Sequence, residues 1–236
     1  MGEVLIGTSG WQYRHWRGVF YPEDLAQKDW LKYYARYFKT LEVNYSFYRQ
    51  PKLETFKKWR SQVPKNFRFS IKGNRFITHI KKLKDCQKPV KRFFDLARGL
   101  LTGRLHSKHL VLWQLPPTME EDLERLKRFI DLLPLDFRHA FEFRHKSWMD
   151  KRVFNFIQNY SRIEATLVLQ DWSEWPILKE PVSDFVYIRL HGKNQLYTSG
   201  YGDKALEAWA KKMREWRRKF DVYTYFNNDS LGHAVN

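Results

Sequence analysis

Eight short stretches rich in β-branched and aromatic residues recur along the chain, and amphipathic helical stripes separate most of them. They are VLIGT around Ile6, TLEVNY around Glu42, FRFSIK around Phe69, LVLWQL around Leu112, HAFEFR around Phe141, ATLVLQ around Leu167, FVYIRL around Tyr187 and VYTYF around Tyr223. Between them, Trp30, Tyr33, Tyr34, Tyr37 and Phe38 keep helical spacing, as do Leu123, Leu126, Phe129, Ile130 and Leu133. Strands that alternate with helices pair in parallel, because the helix carries the chain back to the same end of the sheet. Eight such units in 236 residues predict a TIM (β/α)8-type barrel rather than a doubly wound sheet. The first turn, GTSGW, also lacks the glycine pattern of a dinucleotide-binding crossover. Residues 172–181 read as a loop with at most one turn, so a short sixth helix region is expected. Little chain follows the eighth strand, so the eighth helix is expected to be truncated or missing. No linker or low-complexity tract breaks the pattern, and residues 1–236 are read as a single domain.

A barrel carries its chemistry at the C-terminal ends of its strands. Here those ends are polar where a core strand would be apolar. Thr8 and Ser9 close the first strand, with Trp11 and Tyr13 just beyond. Alternation places Glu42 with Asn44, Ser70 with Lys72, Glu142 with Arg144, and Tyr187 with Arg189 and His191, each set on one face. Gln114 ends the fourth strand, His145 follows the fifth, and Asn227, Asn228 and Asp229 end the eighth. These blocks, with GTSGW, the Phe20-Tyr21-Pro22 run, Phe47-Tyr48, Thr78-His79 and Ser147-Trp148, resemble the YecE-like family of uncharacterised proteins, domain of unknown function seventy-two. The resemblance runs from near Ile6 to Asp229 and implies a TIM barrel. It implies no activity. One departure is the early end at Asn236, since the family usually runs on into a final helix.

The charged ring admits two readings. Glu42, Glu142, Lys72, Arg144 and Arg189 could neutralise one another and plug the mouth. Alternatively Arg144 and Arg189 grip a phosphate or carboxylate, while Glu42 or Glu142 acts as general base or orients one. His191 joins this catalytic set, with Asn44, Gln114 and His145 as ligand contacts. Lys72 invites imine chemistry, but the neighbouring carboxylates predict that it stays charged and paired. Trp11, Tyr13 and Trp148 offer a stacking platform or plain packing. Asn227, Asn228 and Asp229 suit a sugar or base edge, or a loop cap. Carboxylates alternating with Lys and Arg repel a cation, so neither a metal nor a cofactor is expected.

Formal net charge is +17, and its distribution is uneven. Residues 1–110 hold 24 basic and 8 acidic side chains, whereas the remainder holds 19 and 18. Arg75, Lys81, Lys82 and Lys84 fall in the loop after the third strand, opposed only by Asp85. A basic apron beside the mouth predicts a polyanionic partner, nucleic acid above others. Three functions fit: a hydrolase or lyase acting on a phosphate-bearing ligand, a sugar or sugar-phosphate isomerase, and a non-catalytic nucleic-acid-binding barrel. The lone Cys86 excludes an internal disulfide. Neither a signal peptide nor a membrane-length apolar run is visible, so a cytoplasmic protein without a membrane partner is expected, and nothing in the sequence points to a protein partner.

Overall fold

The structure, a computed structural model, describes residues 1–101, 109–171, 181, 183, 185–192 and 199–235. Eight strands form one parallel sheet: β1 (Val4–Thr8), β2 (Thr40–Val43), β3 (Arg68–Lys72), β4 (His109–Gln114), β5 (Phe137–Glu142), β6 (Ala165–Gln170), β7 (Phe185–Leu190) and β8 (Asp221–Phe226). Their order, β1-β8-β7-β6-β5-β4-β3-β2, rolls the sheet into the expected TIM-barrel-like α/β fold. The described α-helices are α1 (Trp30–Tyr37), α2 (Tyr45–Tyr48), α3 (Leu53–Ser61), α4 (Gln87–Ala97), α5 (Leu123–Ile130), α6 (Lys151–Gln158) and α7 (Asp203–Trp216).

Seven of the eight strand junctions are hydrogen-bonded ladders. The eighth, between β1 and β2, is a single parallel bridge joining Ser9 to Glu42. Here the backbones nearly touch: a Cβ on Gly7 would lie 2.2 Å from the Thr40 carbonyl oxygen. Only glycine allows that approach.

Strand alternation sorts the side chains into two shells. The outer faces meet the helices through large apolar groups such as Phe69, Trp113, Phe129, Phe141 and Trp30. The lumen is filled by Leu5, Leu110, Leu112, Ala140, Val168, Phe185, Tyr187, Tyr223 and Tyr225. Tyrosines in a lumen need partners for their hydroxyls. Tyr225 shares a 2.7 Å hydrogen bond with Thr40, and Tyr187 reaches up to the polar ring. At the opposite end Arg138 pairs with Glu164 and Asp221 and donates to Tyr223.

Two local expectations change. β2 ends at Val43, and Asn44 instead caps α2 with helical backbone angles. The segment after β3 is not a plain loop: residues Phe76–Ile80 form a π-helical turn. The expected sixth-helix region, residues 172–181, lies outside the described residues except Pro181. After β8 the described chain makes a 3-10 turn, Ser230–Gly232. The Asp229 carbonyl there accepts from the His15 ring at 2.7 Å, while Ala234 and Val235 pack onto the outer core. No described helix is long and apolar enough to cross a membrane.

Candidate functional site

Arg189 stands at the centre of the barrel mouth, 1% exposed. Its Nε and Nη2 donate to the two oxygens of Glu42 at 3.0 and 2.8 Å, and its Nη1 donates to Glu142 at 2.7 Å. One guanidinium from β7 thus clamps carboxylates from β2 and β5 across the lumen. Ser9 and Tyr187 each donate a further 2.6 Å bond to Glu42. The Tyr187 proton is committed to Glu42, so the 2.6 Å contact with Ser70 is donated by the serine. Glu142 accepts from Gln114 at 2.9 Å and pairs with Arg144. Burial alone would push the Glu142 carboxyl up, but Arg144 and Arg189 outweigh it and hold the group well below its usual range.

This geometry revises three expectations. Both Glu42 oxygens accept two hydrogen bonds and the residue is fully buried. It has no oxygen through which to take a substrate proton. Glu142, held strongly ionised, is a poor base. Arg189 does not offer a free fork to an oxyanion: it is 1% exposed, and Nε, Nη1 and Nη2 each already donate to a carboxylate.

A further correction concerns Lys72. Its expected partners, Glu42 and Glu142, are taken by arginines, and among the described residues its Nζ makes no ion pair or hydrogen bond. Its Nζ lies 4.5 Å from the centre of the Phe47 ring. Burial, reinforced by Arg189, lowers the amine to about 8. His79 packs edge-on against the same Phe47 ring at 4.9 Å, and its Nδ1 shares a 2.8 Å bond with Thr78. Burial, then Lys72 and Arg75, lowers His79 to about 4, so its ring is neutral at pH 7. The sequence pairs Thr78 with His79 in one block but does not reveal that Phe47 unites them with Lys72.

The remaining candidates separate. Trp148 is fully buried, stacked on Phe143 at 4.3 Å, with its indole N–H on the Met119 carbonyl. Trp11 is buried edge-on against Trp59. Neither can offer a stacking platform. Tyr13 donates to the Ser9 carbonyl at 2.6 Å, and Asn44 donates to the same oxygen at 3.3 Å. His145 caps the 3-10 turn Lys146–Trp148 through Ser147. Asn227 Nδ2 donates to His191 Nδ1 at 3.1 Å, leaving the histidine proton on Nε2. Burial and then Arg189 lower His191 to about 3. Asn228 is buried and donates to the Ser199 carbonyl at 3.0 Å, while burial raises the Asp229 carboxyl. Among the described residues no three His, Cys, Asp or Glu side chains converge as metal ligands would.

The basic segment begins immediately past β3. Asn74 Oδ1 accepts from the Phe76 N–H at 2.9 Å and opens the π-turn. Lys82, Leu83 and Asp85 then take positive φ values of 44°, 66° and 45°. Such strain in non-glycine residues persists only where the surroundings hold it. Buried Leu83 supplies one anchor, and Lys82, whose Nζ donates to the Thr118 carbonyl at 2.9 Å, supplies another. Lys81 lies 6.0 Å from the Phe76 ring centre. Arg75, Lys84, Lys88 and Arg92 are exposed and make no ion pair among the described residues. Lys88 and Arg92 line a cleft of about 420 Å³ with Asn74, Phe76 and Gln50. Cys86 beside it is buried, which raises its thiol to about 11.

Fold and ring together define a TIM-barrel-like α/β protein whose strand ends converge on a charge-clamped polar centre. Within that class the chain belongs to the family described as "Protein of unknown function DUF72", whose model matches residues 5–236. It is similar to the UPF0759 protein YunF of Bacillus subtilis, 25% identical over 99% of this chain and 91% of the relative. It is also similar to the UPF0759 protein YecE of Escherichia coli K12, 31% identical over 63% of this chain and 51% of YecE. Among solved structures, a DUF72 family protein from Thermotoga maritima superposes with a TM-score of 0.85, at 27% identity, covering 99% of this chain and 95% of that one. One from Enterococcus faecalis gives 0.82 at 19% identity, covering 98% and 91%.

Proposed function

We propose that this protein binds a phosphate-bearing polyanion, single-stranded nucleic acid foremost, at the C-terminal face of its barrel. The observation that carries this is the set of exposed cations after β3, Arg75, Lys84, Lys88 and Arg92, none of them ion-paired among the described residues. Solvated lysine-rich surfaces ordinarily interleave acids, as α7 does with Glu207 and Glu215. The strained backbone that presents this segment supports a role beyond solubility. Exposed Phe76, beside Lys88 and Arg92 in the cleft, gives a base or sugar ring an apolar face next to phosphate-binding cations. The buried Glu–Arg–Glu clamp shapes the floor of the site, and the ligand is held by the apron.

Fluorescence anisotropy with a labelled single-stranded oligonucleotide, titrated across salt, tests the reading. Each phosphate contact adds about 0.7 to the logarithmic salt slope on a single strand. The triple variant R75A/K84A/K88A should therefore lose roughly two units of slope. The control K211A/R214A/R218A, on and just after α7, should lose little. Equal losses from both triples would reduce the attraction to net charge and sink the assignment.

A further inference from the structure

Of the five charged side chains in the ring, four neutralise one another: Glu42 and Glu142 against Arg144 and Arg189. Lys72 is left over. It ends β3 on the lumen side, among Ser70, Arg189 and the clamped carboxylates, without a hydrogen-bond acceptor among the described residues. A lysine serving only packing would lay its stem on apolar surface and carry its ammonium out to water. Here the nitrogen sits over the Phe47 ring. Desolvation beside another cation is how a lysine amine becomes nucleophilic at neutral pH. The groups that act on it are Arg189 from β7, Glu142 and Arg144 from β5 and its extension, and Glu42 from β2. The arginines and burial together outweigh the carboxylates.

We propose that the Lys72 amine forms an imine with the carbonyl carbon of an open-chain aldehyde or ketone that carries an anionic group, with His79 moving the protons. The neutral amine adds to the carbonyl carbon and the C=O electron pair moves to oxygen. One N–H proton passes through the His79 imidazole to that oxygen, giving a carbinolamine. A second proton, delivered by the same ring from solvent, lets the hydroxyl leave as water while the nitrogen lone pair closes the C=N bond. The products are a protonated imine and one water, and no oxidant or reductant is consumed. His79 is placed for this task because it packs on the Phe47 ring that Lys72 also faces. Arg75, which acts on His79 and is exposed without an ion pair among the described residues, receives the anionic group. The inference does not need the polyanion reading, since oligonucleotide binding and imine formation are measured separately.

The test treats the intact protein with glyceraldehyde 3-phosphate and sodium cyanoborohydride at pH 7 and maps the adducts by peptide mass spectrometry. Relative to an ordinary exposed lysine, the neutral-amine fraction of Lys72 is larger by roughly two orders of magnitude. One dominant adduct is expected, at Lys72, seen as a missed tryptic cleavage before Gly73 and at least about tenfold above any surface lysine. Its yield should rise with pH and level off past about 8. Adducts spread over surface lysines without enrichment at Lys72 overturn the proposal, as does a yield still climbing steeply at pH 10. Lys72→Met, which removes the half-buried amine, should abolish the dominant adduct and leave the surface background unchanged. Plain glyceraldehyde should label Lys72 several-fold more slowly, and equal rates would refute the anionic-group assignment. His79→Gln should slow adduct formation without moving its site, and an unchanged rate would remove His79 from the mechanism.

Discussion

Replacing Glu142 with Gln is an informative perturbation of the ring. The carboxylate accepts from Arg189, Arg144 and Gln114 in a site that is 1% exposed. The amide keeps one acceptor oxygen but turns an NH2 group towards a guanidinium. Glu42 still neutralises Arg189, whereas Arg144 loses its carboxylate. Breaking a buried pair by removing one partner costs about 3 to 5 kcal/mol, and the retained Glu42 contacts favour the lower end, about 3. At about 2 to 4 °C per kcal/mol for a chain of this length, the melting temperature should fall by roughly 6 to 12 °C at pH 7. The folded pKa of Glu142 is depressed, so its contribution is complete above the unfolded carboxylate value and is lost as pH falls through the folded one. The gap between wild type and E142Q should therefore be constant from pH 6 to 8 and shrink progressively below about 4. Adding Arg144→Met to E142Q should recover part of the loss by removing the cation that faced the carboxylate. Thermal unfolding followed by circular dichroism decides. A drop smaller than about 2 °C at pH 7, or a gap that widens in acid, would show that Glu142 does not hold the clamp.

Other perturbations report on neighbouring features. Arg189→Met leaves two buried carboxylates facing each other, so it should cost at least as much as E142Q, with a deficit that narrows on acidification as they protonate; a pH-independent deficit would argue against the clamp. Gly7→Ala drives a methyl into the Thr40 carbonyl, and chemical denaturation should show a loss of about 3 kcal/mol or failure to fold, whereas a neutral result would mean the β1–β2 approach is looser than described. Trp148→Ala should lower stability by about 3 to 5 kcal/mol, as core tryptophans do; a loss of ligand binding with unchanged stability would restore the stacking role. Buried His109, bonded to the Phe69 amide and the Leu100 carbonyl, is lowered to about 4 by burial, so its neutral form stabilises the fold above about 6.5 and that contribution is lost towards pH 4. His109→Gln should flatten the fall of melting temperature over that interval, and an unaltered slope would place the acid sensitivity elsewhere.

Strand-end polarity and alternation in the sequence identify which side chains enter the lumen, because face follows from a period of two. They do not identify partners. Arg189 reaches Glu42 across the lumen from a strand 147 positions away, and only barrel closure makes that distance short. Because the arginines claim both glutamates, Lys72 makes no ion pair among the described residues, contrary to the pairing the sequence suggests. Short elements were also illegible. The four-residue α2 and the π-turn at Phe76–Ile80 are too brief to show a stripe, and local bonds such as Asn74 to Phe76 set them. Trp11 and Trp148 look like strand-end aromatics, yet Trp59 and Phe143 bury them, a contact no spacing rule contains.

The joint between β1 and β2 gives the barrel two strands with the character of sheet edges, since backbone ladders bind each of them on one side only. What fastens that joint is side-chain chemistry: Ser9 on Glu42, and the Tyr34 hydroxyl, which accepts from the Thr8 N–H and donates to the Thr40 carbonyl. Glu42 is also half of the arginine clamp, so the same carboxylate shuts the cylinder and anchors its charged centre. Amide protons along this joint should exchange with solvent sooner than those in the middle of β4 or β5, through local parting rather than global unfolding. Any change that weakens the hold on Glu42 should accelerate that exchange selectively, so the electrostatics of the mouth govern how often the cylinder gapes.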